Sequence, residues 1–171
     1  MTASASDQLA ALDAVAGVLA GAPDRAALYT AVSDALQVLV GHRLFTLLAV
    51  LPDGEEVQRF FSSNKAAYPL TGRKRVGPTP WGEVVLKDRQ PWLGRDAAAI
   101  RWAFSDHALI ASLGLASAIN IPVIRAGQLL GTMNLLHGEH HFAEDAVPVV
   151  GRFAPYLVSA FAEEIDAIRK G

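Results

Sequence analysis

The sequence predicts an α/β (α+β) domain in which helices at both ends of the chain cover a central antiparallel β-sheet. Two pairs of apolar, β-branched segments, at 43–62 and 117–136, each flank a turn that contains glycine, as β-hairpins do. Near both ends of the chain, apolar residues recur instead with the period of an amphipathic helix. A length of 171 residues with 51% apolar residues suits one domain, 1–171, with a substantial core.

The second hairpin is the segment around which we expect the remaining chain to be arranged. Its arms, 117–124 and 129–136, are joined by a turn in which Gly127 can adopt a positive φ at little cost. Both faces of each arm are largely apolar, which predicts a central hairpin covered on both sides. The polar residues that interrupt this pattern either find partners inside the fold or form the floor of a ligand cavity. They are Ser117, Asn120, Thr132 and Asn134.

Two helices are predicted before the first hairpin, over 7–19 and 25–40. The first is short and Ala-rich, so it needs packing against its own chain or against a second subunit. For the first helix, Ser6 is the predicted N-cap, and Gly21 and Pro23 are predicted to stop it. For the second helix, Asp24 is the predicted N-cap and Gly41 is predicted to end it.

The first hairpin is predicted to join a central strand to an outer one. Residues 43–51 are apolar on both faces, and residues 55–62 alternate after a turn at 52–54. The alternation predicts one face with Val57, Arg59 and Phe61 and another with Gln58, Phe60 and Ser62.

Residues 63–80 fit no regular element. A loop of this length in a compact domain is usually functional or mobile, and its Gly and Pro positions together with Tyr68 predict a lid. The basic run at 73–75 is either a solvated loop tip or an anion site.

Short elements are predicted between the hairpins, and one long helix at the end. Thr79 is predicted to cap a helix with Pro80 in its first turn. The others are an extended piece at 91–93, short helices at 100–104 and 106–113, and a final helix over 143–169 that Pro155 kinks or restarts.

The second hairpin resembles the last hairpin of a GAF domain. The resemblance rests on N-I-P-V at 120–123, a tight turn with Gly127, and G-T-M-N-L at 131–135. The order of predicted elements over 24–168 is also that of the family. The resemblance implies a GAF-like (PAS/profilin-like) sheet, with the N- and C-terminal helices on one face and a loop and short-helix pocket region on the other.

The resemblance also implies a function, that of a small-molecule-binding sensor or regulatory module. Without an output domain, such a module acts through a partner or as a dimer. In the family the first and last helices often pair between subunits, so the helix within 1–22 and the face around Phe161 and Ile165 are expected at a homodimer interface. A dimerisation module with no ligand is the alternative.

The region between the hairpins holds the candidate site. All three tryptophans lie there, and with Phe104 they form either plain core or a wall on which a ligand stacks. The expected ligand is a small organic molecule, with an anionic one as a further option. The candidate ligand-binding residues are Phe60, Ser62, Tyr68, Trp81, Trp92, Trp102, Phe104, His107, Ser112, Asn120 and Asn134.

Asp106 and His107 suggest a second class of function, a small enzyme without cysteine. With Glu83 they could perform acid–base chemistry in the same pocket. The competing interpretation is that Asp106 caps the short helix through its side chain and His107 lies at the surface.

Composition excludes several classes of function. The chain has no Cys, so it cannot act through thiolates, as GAF methionine-sulfoxide reductases do, or attach a bilin through Cys. Asn64-Lys65 is not continued into the N-K-F-D-E-type motif of cyclic-nucleotide GAF domains. A net charge of −2 predicts no nucleic-acid partner, and no segment suits a membrane or a secretion signal, so we expect a cytoplasmic protein. The His-rich tract at 137–141 lacks metalloprotease spacing, and we predict neither a metal nor a cofactor.

Overall fold

A computed structural model describes residues 3–21 and 24–171. Six strands form one antiparallel sheet in the order β3-β2-β1-β6-β5-β4, with the predicted second hairpin and the first strand at its centre. The strands are β1 Leu44–Val50, β2 Glu56–Ser62, β3 Arg73–Arg75, β4 Trp92–Gly94, β5 Ser117–Arg125 and β6 Gln128–His137.

The helices divide between the two faces of the sheet, as predicted. The long N-terminal helices and the C-terminal helices pack on one face around buried residues such as Phe45 and Met133, and the short helices cover the other. The helices are α1 Ala5–Gly21, α2 Arg25–Leu39, α3 Pro80–Gly82 with a π-helical turn Glu83–Lys87, α4 Ala97–Ala103, α5 His107–Ser112, α6 Ala146–Gly151 and α7 Val158–Lys170. Among the residues that the structure describes, no helix is both long and apolar enough to span a membrane.

The boundaries of the first two helices follow capping chemistry. Ser4, not the predicted Ser6, is the N-cap of α1, because its hydroxyl accepts from the Asp7 N–H and donates to the Asp7 carboxylate. Asp24 caps α2 as predicted, accepting from the Ala27 N–H at 2.9 Å. Gly41 ends α2 as predicted, with a φ of +73°. Pro23, predicted to stop the first helix, lies outside the described residues.

The central hairpin turns at Ala126 and Gly127, both with positive φ, the arrangement of a type I′ turn.

Gly131 permits close approach of β6 to β1 and α7. A Cβ built there would lie 2.0 Å from the Leu48 carbonyl oxygen and 2.5 Å from a Phe161 ring carbon. The sheet and α7 therefore meet at a position that has no room for a side chain.

A β-bulge changes the predicted faces of β2. The register shifts between Leu47, which pairs with Phe61, and Leu48, which pairs with Arg59, so Phe60 is the extra residue. Phe60 and Phe61 consequently both contact Tyr29 on the helix-covered face. The predicted strict alternation, with Phe61 on the face of Val57 and Arg59, is wrong beyond Arg59.

Two further predictions of regular structure need correction. The basic run in the predicted loop forms the short edge strand β3, which pairs with β2 from Glu56 to Gln58. The final helix begins at Ala146, later than predicted, and is divided into α6, a 3-10 turn at Ala154–Leu157 and α7. The break falls at Pro155, as predicted, because proline cannot donate a helical hydrogen bond.

Candidate functional site

A cavity of about 340 Å³ lies between the sheet and the short helices. Side chains of β1, β2, β5 and β6 form its floor, and residues of α3, α4, α5 and the segment before α3 form its walls and mouth. Its volume is in the range of small-molecule sites. Most of its lining is apolar, including Leu44, Leu48, Val57, Phe104, Ile110 and Leu136.

A directed chain of hydrogen bonds crosses the floor. The Trp81 indole donates to the Asn120 side-chain oxygen at 3.0 Å, and the Asn120 amide donates to the Asn134 oxygen at 2.7 Å. The Asn134 amide in turn donates to the carbonyl and hydroxyl of Thr46, at 3.4 and 3.3 Å. Both asparagines are buried, so the chain ties α3 to the three central strands.

The mouth carries charged groups around Asp106. Its carboxylate accepts a hydrogen bond from the Tyr68 hydroxyl at 3.1 Å and lies 3.3 Å from the Lys74 ammonium. Burial, and then the Asp106 charge, raise the pKa of Tyr68, so the phenol stays a donor. Asp106 is the N-cap residue of α5, but among the described residues its side chain makes no capping hydrogen bond, contrary to the capping interpretation. The carboxylate instead faces the mouth.

Arg59 also lines the cavity, and it makes few hydrogen bonds within the described residues. Its guanidinium lies 4.7 Å from the centre of the Tyr68 ring and donates one hydrogen bond, from Nη1 to the Pro69 carbonyl. Its Nε–H is buried and has no hydrogen-bond partner within the described part of the chain. Burial lowers the pKa of Arg59, against opposing effects of Tyr68 and Asp106, because its charge is only partly compensated.

Comparison with protein families gives one assignment. The GAF domain model matches residues 22–162, most of the chain. The chain belongs to the GAF domain family. Comparison with curated protein sequences finds no match.

Solved structures of other GAF domains share its fold. The GAF domain of a phosphoenolpyruvate-protein phosphotransferase from Coxiella burnetii has a TM-score of 0.72 at 20% identity, covering 95% of this chain and 99% of that one. The phycocyanobilin-bound GAF domain of a cyanobacterial phytochrome has a TM-score of 0.70 at 18% identity, covering 91% and 94%. The GAF domain of A. Aeolicus nlh2 in an inactive state gives 0.71 at 13% identity, covering 93% and 98%. At these identities the likeness establishes the fold.

Five of the predicted ligand-binding residues line the cavity of this GAF domain, and six do not. Those that line it are Tyr68, Trp81, Phe104, Asn120 and Asn134. Those that do not are Phe60, Ser62, Trp92, Trp102, His107 and Ser112.

The six residues outside the cavity have other environments. Phe60 packs against Phe161 on the opposite face of the sheet, because of the bulge. Trp92 stacks on Trp102, which is 48% exposed. The remaining three make local contacts. The Ser62 hydroxyl accepts from the Asn64 N–H, His107 begins α5 outside the cavity lining, and Ser112 donates to the Leu109 carbonyl.

The three residues of the predicted acid–base set do not converge. Asp106 lines the cavity, whereas His107 does not. Glu83 is exposed and pairs with Lys87 at 2.7 Å. The geometry therefore brings no second acid or base from this set to Asp106.

Sequence reasoning missed the cavity's cations as site residues. Arg59 and Lys74 line it together with Arg75. The signal was present, since the predicted alternation placed Arg59 on the face of Val57, and 73–75 was named as an anion site or a loop tip. What the sequence did not reveal was that β3 pairs with β2 and so brings 73–75 to the mouth.

The His-rich tract lies away from the cavity. His137 and His141 stack with ring centres 3.4 Å apart, and His137 Nδ1 accepts from the Gly138 N–H at 2.7 Å. Over residues 3–21 and 24–171 no group of three or more His, Asp or Glu side chains could hold a metal ion.

Proposed function

We propose that this GAF domain is a sensory module that binds a small organic ligand in the cavity between the sheet and the short helices. The observation that carries the proposal is the cavity itself, about 340 Å³ with a mostly apolar lining and a charged mouth. A ligand with an apolar body and a polar end matches that division. The phycocyanobilin-bound relative is a GAF domain of the same fold that holds an organic molecule.

Ligand-dependent melting tests the proposal. A ligand that binds only the folded state raises the melting temperature, so a metabolite library should yield concentration-dependent stabilisation. Ala103→Phe, which fills the cavity from α4, should abolish that stabilisation. Ala98→Phe, at an exposed position of the same helix, is the matched control and should retain it. Equal stabilisation of both variants would place the binding elsewhere.

The segment 63–80 is proposed to cover the bound ligand. Tyr68, Gly72 and Lys74 from this segment line the cavity mouth, which supports the proposal. Ligand should therefore slow amide hydrogen exchange in this segment but not in α1. Equal exchange with and without ligand would contradict a lid.

We further propose that the domain acts as a homodimer or through a partner. Support comes from α1, which packs on α2 through Val15 but leaves Leu9 60% exposed. The predicted role of Phe161 in such an interface is wrong, because Phe161 is fully buried in the core of its own chain. The acid–base alternative receives no support from the arrangement of Asp106, His107 and Glu83.

A further inference from the structure

The charges that line the cavity define the class of ligand more narrowly than its volume does. Three cations, Arg59, Lys74 and Arg75, and one carboxylate, Asp106, belong to the lining. Lys74 is paired with Asp106 at 3.3 Å, and Arg75 lies 3.4 Å from Glu55 outside the cavity. Arg59 has no carboxylate within salt-bridge distance in the described residues, so one positive charge remains without a close counterion.

Of the three cations, Arg59 is the one best placed to bind a negatively charged group of the ligand. Lys74 and Arg75 are largely solvated, with side chains 51% and 78% exposed. The Arg59 side chain is half-buried, with its guanidinium against the Tyr68 ring, and its buried Nε–H has no acceptor among the described residues. A hydrogen bond to this buried N–H is stronger than one to a largely solvated cation, because less water competes for it.

Asp106 limits how much negative charge the cavity accepts. One carboxylate on the ligand would neutralise Arg59. A second negative charge would face the Asp106 carboxylate, whose neighbouring cation is already paired. A phosphate monoester carries about 1.5 to 2 negative charges at neutral pH and meets the same repulsion. A planar carboxylate also matches the geometry of a guanidinium.

We propose that the ligand is a monocarboxylate with an apolar body, bound through Arg59 and selected against dianions by Asp106. The inference rests on the proposed function, since it assigns ligand chemistry to the same cavity. The apolar body would lie over Leu44, Leu48 and Leu136, with Phe104 at its side. Asp106 is thus a specificity-determining residue at the mouth.

Three related probes separate charge from shape. Hydrocinnamate has one carboxylate on a phenyl-bearing chain, hydrocinnamamide is its neutral counterpart, and phenylsuccinate is hydrocinnamate with a second carboxylate. Calorimetric titration of the full chain should give an affinity for hydrocinnamate about ten- to a hundredfold above that for the amide, the range for a charge-assisted hydrogen bond. Phenylsuccinate should bind more weakly than hydrocinnamate.

Substitutions identify which residues cause these ligand preferences. Arg59→Gln should remove the preference for acid over amide, while Arg59→Lys keeps the charge and should retain part of it. Arg101→Gln, at an exposed position outside the cavity lining, is the control and should change nothing. Asp106→Asn should raise the affinity for phenylsuccinate relative to hydrocinnamate. Circular dichroism of each variant before titration verifies that it is folded.

The possible failures are distinguishable. If acid and amide bind equally, or if Arg59→Gln folds and keeps the preference, the charge inference is wrong while binding in the cavity stands. If phenylsuccinate binds as tightly as hydrocinnamate, and Asp106→Asn does not alter that ratio, the role of Asp106 is wrong. If Ala103→Phe leaves binding of all three probes unchanged, both the inference and the proposed function fail.

Discussion

At the scale of single residues, the direction of hydrogen bonds on the cavity floor determines which groups remain for a ligand. Asn120 and Asn134 are buried and are bonded to each other, to Trp81 and to Thr46. Their main effect is to hold the floor in one arrangement. Recognition of a charged ligand group falls instead to Arg59, whose buried Nε–H has no acceptor among the described residues.

Asn134→Ala tests the structural value of this chain of hydrogen bonds. The change leaves the Asn120 amide without its acceptor in a buried place, which costs about 1–3 kcal/mol of unfolding free energy. Urea denaturation measures the loss. Gln128→Ala, at an exposed position of the same strand, should stay within about 0.5 kcal/mol of the wild type. An equally small effect of Asn134→Ala would show that the chain contributes little to stability.

His137 gives the fold a predictable dependence on pH. Desolvation, followed by the charges of His141, Arg43 and His42, lowers the pKa of His137 from 6.5 to about 4. Between these values the unfolded state binds a proton that the folded state does not. The contribution of His137 to the free energy of unfolding should therefore be constant above pH 6.5 and fall as the pH decreases from about 6.5 to about 4.

A substitution isolates the contribution of His137. Asn at this position can still accept from the Gly138 N–H but does not titrate, so His137→Asn should flatten part of the decline measured by denaturation at several pH values. His140→Asn, at an exposed position with positive φ that Asn tolerates, is the control. Parallel pH curves for the wild type and His137→Asn would rule out this role.

At the scale of the elements, Gly131 determines how closely β6, β1 and α7 can pack. Gly131→Ala places a methyl group against the Leu48 carbonyl and the Phe161 ring, and backbone cannot yield as a flexible side chain can. We expect a loss of about 1–3 kcal/mol or more, as for overpacked cores. Gly17→Ala in α1 meets no atom of the described residues within 4 Å and should stabilise by up to about 1 kcal/mol. Thermal unfolding compares the two variants, and a neutral Gly131→Ala would contradict the packing described.

Elements with local chemical causes could be predicted from sequence. The caps at Asp24 and Thr79, the turn at Gly127 and the interruption at Pro155 each depend on a few neighbouring residues. These were correct because capping and turn geometry are set within the segment itself.

Features that depend on pairing between segments could not be predicted in the same way. The bulge at Phe60 reverses the face of the strand beyond it, yet it is visible only in the register against β1. β3 exists because β2 offers a free edge, not because Arg73-Lys74-Arg75 favours a strand. Capping of its own helix by the Asp106 side chain was one of two interpretations, but Tyr68 and Lys74, distant in sequence, hold its carboxylate.

At the scale of the whole molecule, one face of the sheet supports the larger core and the other face borders the cavity. The long helices build the larger core on one face, and the short helices leave a cavity on the other. The sequence identified this division through its resemblance to GAF domains. It could not reveal which of the clustered aromatics would face the cavity, because that depends on how α3 and β4 pack against the sheet, which puts Trp81 in the lining and Trp92 outside it.

Self-association should depend on the outer surface of α1 and α2. Ala10, Ala14 and Val18 of α1 form an apolar groove with Val38 of α2, which is 82% exposed. We expect a dimer by light scattering at tens of micromolar, and Val38→Glu should convert it to a monomer. Ile124→Glu, at an exposed position on the central hairpin, should leave the dimer intact. A monomeric wild-type chain would contradict the proposed interface.

Indole N–H resonances test the central claim, that the cavity is the ligand site, most directly. The chain has three tryptophans, of which Trp81 lines the cavity and donates to Asn120, while Trp102 stacks on Trp92 outside it. Titration of ¹⁵N-labelled protein with hydrocinnamate should shift the Trp81 indole resonance in a saturable manner and leave that of Trp102 in place. Saturable binding that shifts the Trp102 resonance and leaves the Trp81 resonance unchanged would contradict the claim.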